Sequence, residues 1–99
     1  MKRILGKMQK GDNIMKSFAY VITDRAGIHA RPAGTVVKTA QKYVSDILIK
    51  KGDKEADAKK LMQVMALGVK CGEEIIVDIS GEDEEEACSA VEAIFKELL

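Results

Sequence analysis

The sequence predicts an α+β fold: a two-layer open-faced sandwich, in which a four-stranded antiparallel sheet carries three helices on one face. Segments with alternating apolar residues and segments with helical spacing follow one another in the order β-α-β-β-α-β-α. The second and third strand candidates are joined by a short Gly52-Asp53 turn, which is typical of an antiparallel hairpin. Each helix candidate has one apolar side, so packing all three on one sheet face is the simplest arrangement.

The first half of the chain supplies a strand, a helix and the hairpin. Large apolar side chains alternate along residues 17–23, which predicts a strand, and residues 24–27 read as a loop. From Ala33 the apolar spacing becomes helical, with Pro32 in the first turn, where its missing N–H costs nothing. Residues 45–57 predict the hairpin, whose short and polar second arm is typical of an edge strand.

The second half adds a short helix, a strand and a long helix. The short helix is expected to end at Gly68, and residues 73–80 alternate as a strand. Asp83 is the expected N-cap of the long helix, with Glu86 at capping-box spacing, and residues 82–86 are expected to be a solvated acidic start. The apolar stripe of this helix consists of Ala87, Cys88, Val91, Ile94, Phe95 and Leu98.

Composition indicates a single ordered domain and excludes several classes. The 99 residues are 46% hydrophobic and 32% charged, and 16 basic residues balance 16 acidic ones. The formal net charge of zero therefore gives no overall electrostatic attraction to nucleic acid or anionic lipid. No apolar segment is long enough to span a membrane. Cys71 and Cys88 lack CxxC spacing, so we expect unpaired thiols that pack as small residues in a protein of the cytoplasm.

Residues 1–14, "MKRILGKMQKGDNI", are basic and lack the apolar core of a secretory signal. The segment Lys10-Gly11-Asp12 can be encoded by a bacterial ribosome-binding sequence placed shortly before the codon of Met15. We therefore expect residues 1–14 to be a translated leader or a disordered tail, and residues 15–99 to form the domain.

The only histidine of the chain, His29, lies at the predicted start of the first helix. Backbone N–H groups in a first helical turn have no intrahelical partners, and together with the helix dipole they attract anions. Arg31 adds a guanidinium that can bind phosphate oxygens, and a histidine is both nucleophilic and partly neutral near pH 7. The start of this helix is therefore a candidate phosphohistidine site, although a lone histidine at a helix start is often only a surface loop residue.

Other chemistries fit the sequence less well. One histidine and two distant cysteines lack the ligand spacing of a zinc site, and neither GxSxG nor GxGxxG occurs. We therefore expect no metal, no cofactor and no enzyme with its own substrate pocket.

Three motifs of the chain are "GIHARPAG" at residues 27–34, "LMQVMALGV" at residues 61–69 and "GEEIIVDISGEDEEEA" at residues 72–87. Together they resemble those of HPr, the phosphocarrier family of the bacterial phosphoenolpyruvate:sugar phosphotransferase system. The resemblance extends over residues 15–99. It implies a phosphocarrier that is a covalent intermediate in a phosphotransferase relay, rather than an enzyme.

The resemblance also implies roles for particular residues and partners. His29 would be phosphorylated at Nδ1 by enzyme I and would pass the phosphoryl group to enzyme IIA domains. Arg31 would pair with the phosphoryl oxygens, and the N–H groups of Ala30 and Arg31 would complete the anion site. The protein is expected to act as a monomer.

The short helix is a candidate docking surface. Its spacing places Leu61, Met62 and Met65 on one side, whereas Val64 and Leu67 can face the core. The apolar side is more than a two-turn helix easily buries, and methionines adapt to several partners. Ordinary core packing is the alternative for these residues. In the HPr family the corresponding helix contacts partners.

The basic residues Lys38, Lys59 and Lys60 could surround this surface as a rim that steers docking, although a plain solvated face explains them equally well. Lys60 stands where many relatives have a serine phosphorylated by a regulatory kinase, so we expect no such regulation here. Gly34 stands where relatives more often have Ala or Thr, at a position expected to face partners.

A regulatory protein-interaction module on the same fold, or a carrier of the nitrogen branch, is the alternative function. The presence of both His29 and Arg31 favours the sugar carrier, because a protein that only binds partners needs neither residue.

Overall fold

The computed structural model describes residues 15–99, and the expectation of a leader or tail at residues 1–14 lies outside them. The elements follow the predicted order: β1 (Lys16–Val21), α1 (Ala30–Ala40), β2 (Asp46–Lys51), β3 (Lys54–Asp57), α2 (Leu61–Ala66), β4 (Glu74–Ser80) and α3 (Glu84–Leu98). None of the helices in this range is both long enough and apolar enough to traverse a bilayer.

The four strands form one antiparallel sheet in the order β1-β4-β2-β3, with β3 at an edge as predicted. The register aligns alternate residues of neighbouring strands into rows. In one such row, Phe18 lies opposite Val77, which lies opposite Ile49, which lies opposite Ala56. Because side chains alternate between the faces of a strand, all four point to the same side of the sheet and meet the helices there.

The helices cover that face and bury the predicted apolar stripe of α3. Phe95 is completely buried, and its ring makes edge-to-face contacts with the rings of Phe18 and Tyr20, with both centroid distances 5.9 Å. Aromatic pairs in this geometry stabilise a core beyond the area that they bury. The fully buried aliphatic side chains of the sheet are Ile47, Ile49, Ile75, Val77 and Ile79.

The opposite face of the sheet is held together by polar contacts. Lys50 Nζ lies 2.7 Å from Asp78 Oδ2, and the Ser17 hydroxyl donates to Asp78 Oδ1 at 2.8 Å. Lys50, and then Ser17, lower the pKa of the Asp78 carboxyl. The predicted two-layer arrangement is therefore confirmed: one sheet face is covered by helices and the other faces water.

The start of α3 differs from the prediction. Asp83 is the N-cap residue, but its side chain does not cap the helix, so the capping box with Glu86 was wrong. The Asp83 carboxylate instead accepts hydrogen bonds from the amides of Val44 and Ser45, each at 3.0 Å, and from the Ser45 hydroxyl. Two amides and a hydroxyl presented by the loop before β2 outcompete a single amide of the helix. Asp83 therefore joins this loop to the start of α3.

Glu84 is buried, with 6% of its surface exposed, so the expectation of a fully solvated acidic start was also wrong at this residue. Its Oε1 accepts a hydrogen bond of 3.0 Å from the amide of Gly81. Glu84 thus closes the turn that leads from β4 into α3.

Candidate functional site

The loop between β1 and α1 is fixed by a close approach to the segment that follows α2. Gly27 has a φ of 70°, and a Cβ on it would lie 2.2 Å from the backbone oxygen of Val69. The next amide, that of Ile28, donates to this same oxygen at 3.0 Å. Only glycine tolerates both the positive φ and this contact. The backbone just before the candidate histidine is therefore held in one conformation.

The beginning of this loop is tied to the end of α3. The backbone oxygen of Leu99 accepts hydrogen bonds from the amides of Thr23 and Asp24, at 2.6 and 3.0 Å, and from the Thr23 hydroxyl at 2.9 Å. The Asp24 side chain then turns the chain locally, because its Oδ1 accepts the amide of Ala26 at 2.8 Å. Two distant segments and one local turn thus fix the loop.

His29 follows this loop as the N-cap residue of α1, with an extended backbone at φ −108° and ψ 178°. Its side chain is 43% exposed and therefore lies outside the core. The ring nitrogen Nε2 lies 3.6 Å from Asp24 Oδ2, which is within ion-pair range but longer than a hydrogen bond. Nδ1 is the nitrogen that this contact leaves available.

The first turn of α1 presents unpaired donors beside the histidine. The carbonyl of His29 accepts the amide of Ala33 at 3.0 Å. Within residues 15–99, the amides of Ala30 and Arg31 have no hydrogen-bond acceptor, and the first turn of α1 contains no acidic residue. Two N–H groups at the positive end of a helix dipole make a binding site for an anion.

Arg31 adds positive charge to this turn. Its side chain is exposed, and in the part of the chain that the structure describes it forms no salt bridge. The structure therefore brings together the residues predicted for the site, His29, Ala30 and Arg31. Their combined donors suit an anion with several oxygens, such as a phosphoryl group.

Helix α2 lies beside α1 and runs in the opposite direction. Near the end of α1, the Gln41 side chain donates to the carbonyl of Lys59, just before α2, at 2.9 Å. Near the start of α1, the amide of Ile28 donates a hydrogen bond to the carbonyl of Val69, which lies just after α2. The last turn of α2 is consequently the part nearest to the histidine end of α1.

The side chains of α2 divide as the spacing predicted. Val64 and Leu67 are buried, whereas Leu61, Met62 and Met65 are exposed to 40%, 79% and 36%. We call the last three residues the α2 patch. A patch of exposed apolar side chains on a helix beside α1 is typical of a surface that binds other proteins.

The remaining predicted docking residues lie around the two helices. Gly34 is half-buried within α1, with no atom within 4 Å of an added Cβ. Lys38 is exposed in the last turn of α1, and Lys60 is the exposed N-cap residue of α2. Lys59 is different, since its ammonium donates to the carbonyl of Tyr43 at 2.7 Å. Lys59 therefore joins the segment before α2 to the loop after α1, whereas the ammonium groups of Lys38 and Lys60 have no such bond within residues 15–99.

Comparison with known proteins identifies the family of this chain. Residues 16–97 match the family described as PTS HPr component phosphorylation site. The chain belongs to the HPr family. The phosphocarrier protein HPr of Mycoplasma capricolum is 40% identical over 77 residues, which are 78% of this chain and 86% of that protein.

Solved structures of HPr proteins are similar to this one. The histidine-containing phosphocarrier protein of Mycoplasma has a TM-score of 0.81 at 36% identity, covering 83% of this chain and 93% of that one. Crh of Bacillus subtilis, a catabolite-repression protein described as an intertwined dimer, has a TM-score of 0.67 at 31% identity. The match covers 92% of this chain and 95% of the Crh chain. The fold predicted from the sequence is thus that of solved HPr structures.

Two residues in or against the loop between β1 and α1 were missed or misjudged from the sequence of this HPr-family chain. Asp24 was read only as part of a loop, although an Asp two residues before Ala26 is a recognisable turn signal. Cys71 was expected to pack inside, but it is exposed, with its Sγ 3.7 Å from the carbonyl oxygen of Thr23. Cys88 does pack against the core.

Proposed function

We propose that this HPr-family chain carries phosphoryl groups from enzyme I to enzyme IIA domains of the phosphotransferase system, on Nδ1 of His29. One observation carries the proposal: an exposed imidazole stands at the N-cap of α1, directly before two amides without acceptors. A site of this kind can accept a phosphoryl group and stabilise its charge without a metal or cofactor of its own.

The protein contributes little covalent chemistry to the transfer beyond the nucleophilic nitrogen. The Nδ1 lone pair of His29 attacks phosphorus in line, and the bond between phosphorus and the phosphohistidine of enzyme I breaks, returning its electron pair to that ring. The phosphoryl oxygens then meet the amides of Ala30 and Arg31 and the Arg31 guanidinium. Transfer to enzyme IIA repeats the same step in the other direction. Because the phosphoryl group passes from one histidine to another, the transfer is close to energetic balance. The positioning of the two rings therefore dominates the rate.

Docking involves the α2 patch, with Gly34 on the neighbouring helix and with Lys38 and Lys60 around it. The flexible side chains of Met62 and Met65 suit a carrier that must bind a donor and several acceptors in turn. The two lysines provide positive charge for acidic partner surfaces. In this proposal the protein works as a monomer in the cytoplasm, where its partners are found.

The decisive experiment mixes the protein with enzyme I, magnesium and phosphoenolpyruvate labelled with ³²P. We expect a label that is stable in alkali and labile in acid, and that is lost in His29→Ala. Arg31→Ala should still be labelled, but about 10- to 100-fold more slowly, because a charge-assisted contact to the transferred group is removed. Circular dichroism of both variants controls for folding. A wild-type protein that stays unlabelled contradicts the proposal and favours a regulatory binding module.

A further inference from the structure

We infer that Asp24 is a positioning residue, which holds the proton of His29 on Nε2 and so presents Nδ1 as the nucleophile. The geometry of the loop carries this inference, and its kinetic consequence rests on the function proposed above. The Asp24 carboxylate faces the ring from the Nε2 side, at 3.6 Å, whereas the phosphoryl group is proposed to arrive at the other nitrogen.

Every polar part of Asp24 is engaged, so its carboxylate is held in place before any partner binds. Its amide donates to the Leu99 oxygen at 3.0 Å, and its carbonyl accepts the amide of Gly27 at 2.9 Å. Its Oδ1 accepts the amide of Ala26 at 2.8 Å, which leaves Oδ2 directed at the histidine. Backbone and side chain are thus fixed together, as is expected of a residue that orients another.

A carboxylate in this position acts on the ring in two ways. In the neutral imidazole it favours the tautomer with the proton on Nε2, because N–H faces negative charge and the Nδ1 lone pair is left exposed. When Nδ1 forms its bond to phosphorus, the ring keeps the Nε2 proton and gains positive charge. The carboxylate stabilises that charge, in the way that an aspartate stabilises the imidazolium of a catalytic triad.

The same contact assists the outward step. When enzyme IIA attacks phosphorus, the bond from Nδ1 breaks and its electron pair returns to the ring of His29, which becomes neutral with its proton still on Nε2. No proton has to enter or leave during either transfer. Asp24 therefore keeps one protonation arrangement throughout the cycle.

Asp24→Asn tests the charge and leaves the turn in place, because an asparagine oxygen can still accept the amide of Ala26. Asp24→Ala removes both. Asp53→Asn, in the exposed turn between β2 and β3, is the matched control with the same change of net charge. The first measurement is ¹⁵N NMR of the His29 ring in the unphosphorylated proteins. We expect the tautomer with the proton on Nε2 to dominate in the wild type and in Asp53→Asn, and its fraction to fall in Asp24→Asn.

The second measurement is the single-turnover rate of labelling by enzyme I. Loss of a unit charge at 3.6 Å should slow Asp24→Asn about tenfold, with binding of enzyme I unchanged and Asp53→Asn unaffected. Equal tautomer fractions in wild type and Asp24→Asn, or equal labelling rates, would overturn the inference. If the wild type accepts no label, the proposed function fails, and the NMR comparison still decides whether Asp24 orients the ring.

Discussion

Replacing Gly27 by alanine should destabilise the domain strongly, because the new Cβ would overlap with backbone atoms of a neighbouring segment. It would lie 2.2 Å from the Val69 oxygen and 2.8 Å from the Cα of Lys70, both backbone atoms, at a φ of 70°. The left-handed conformation costs a residue with a Cβ about 1–2 kcal/mol. Separating the two segments also weakens the hydrogen bond from Ile28 to Val69, which contributes about 1 kcal/mol. The expected loss is about 2–3 kcal/mol, or roughly 8–24 °C in Tm.

Urea and thermal unfolding of Gly27→Ala measure this effect, and Gly34→Ala is its matched control. Gly34 lies within α1, where an added Cβ meets no atom within 4 Å. The same chemical change should therefore stabilise the protein there by about 0.5–1 kcal/mol, through the better helix propensity of alanine. A free energy of unfolding for Gly27→Ala within about 0.5 kcal/mol of the wild type would refute this expectation, and so would a larger destabilisation by Gly34→Ala than by Gly27→Ala.

Three further predictions concern other regions. The Ser45 hydroxyl, together with two backbone amides, holds the pKa of the Asp83 carboxyl below its usual value, so this carboxylate stabilises the fold above about pH 4 and the stabilisation is lost as the pH falls through the lowered pKa. Asp83→Asn should therefore lower Tm by several degrees at pH 7, and the difference from the wild type should shrink in acid; a Tm gap that is constant with pH would contradict this. Met62→Asp should raise the KM for labelling by enzyme I about tenfold or more with Tm unchanged, whereas Val44→Asp, equally exposed but outside the α2 patch, should leave KM as it was. Incubation with ATP and the kinase that phosphorylates the corresponding serine in relatives should leave the protein unmodified, since Lys60 occupies that place; a phosphate on α2 would refute the prediction.

The elements of the fold could be predicted because their signals are local. Alternation in the strands and the stripe of α3 repeat over many residues, and each reports directly which side faces the core. The unpaired amides of Ala30 and Arg31 were also predictable, since they follow from the start of a helix and need no distant partner.

The features that were missed depend on residues far apart in the chain. Asp83 lies at a helix start, yet its carboxylate serves Val44 and Ser45, 39 and 38 residues away. In the sequence Gly27 looks like an ordinary loop glycine. Only the structure shows that the backbone of Val69 lies where its Cβ would be. Spacing along the sequence contains no information about such partners, because they are brought together only when the sheet and helices pack.

The proposed function requires that phosphorus bind Nδ1 of His29 and lie against the first turn of α1. The most direct test is ³¹P and ¹H–¹⁵N NMR of the protein after phosphorylation by enzyme I. We expect a bond from phosphorus to Nδ1 and large shifts of the Ala30 and Arg31 amide signals. Phosphorus on Nε2 or on another residue, or amide signals of this turn that stay where they were, would contradict it.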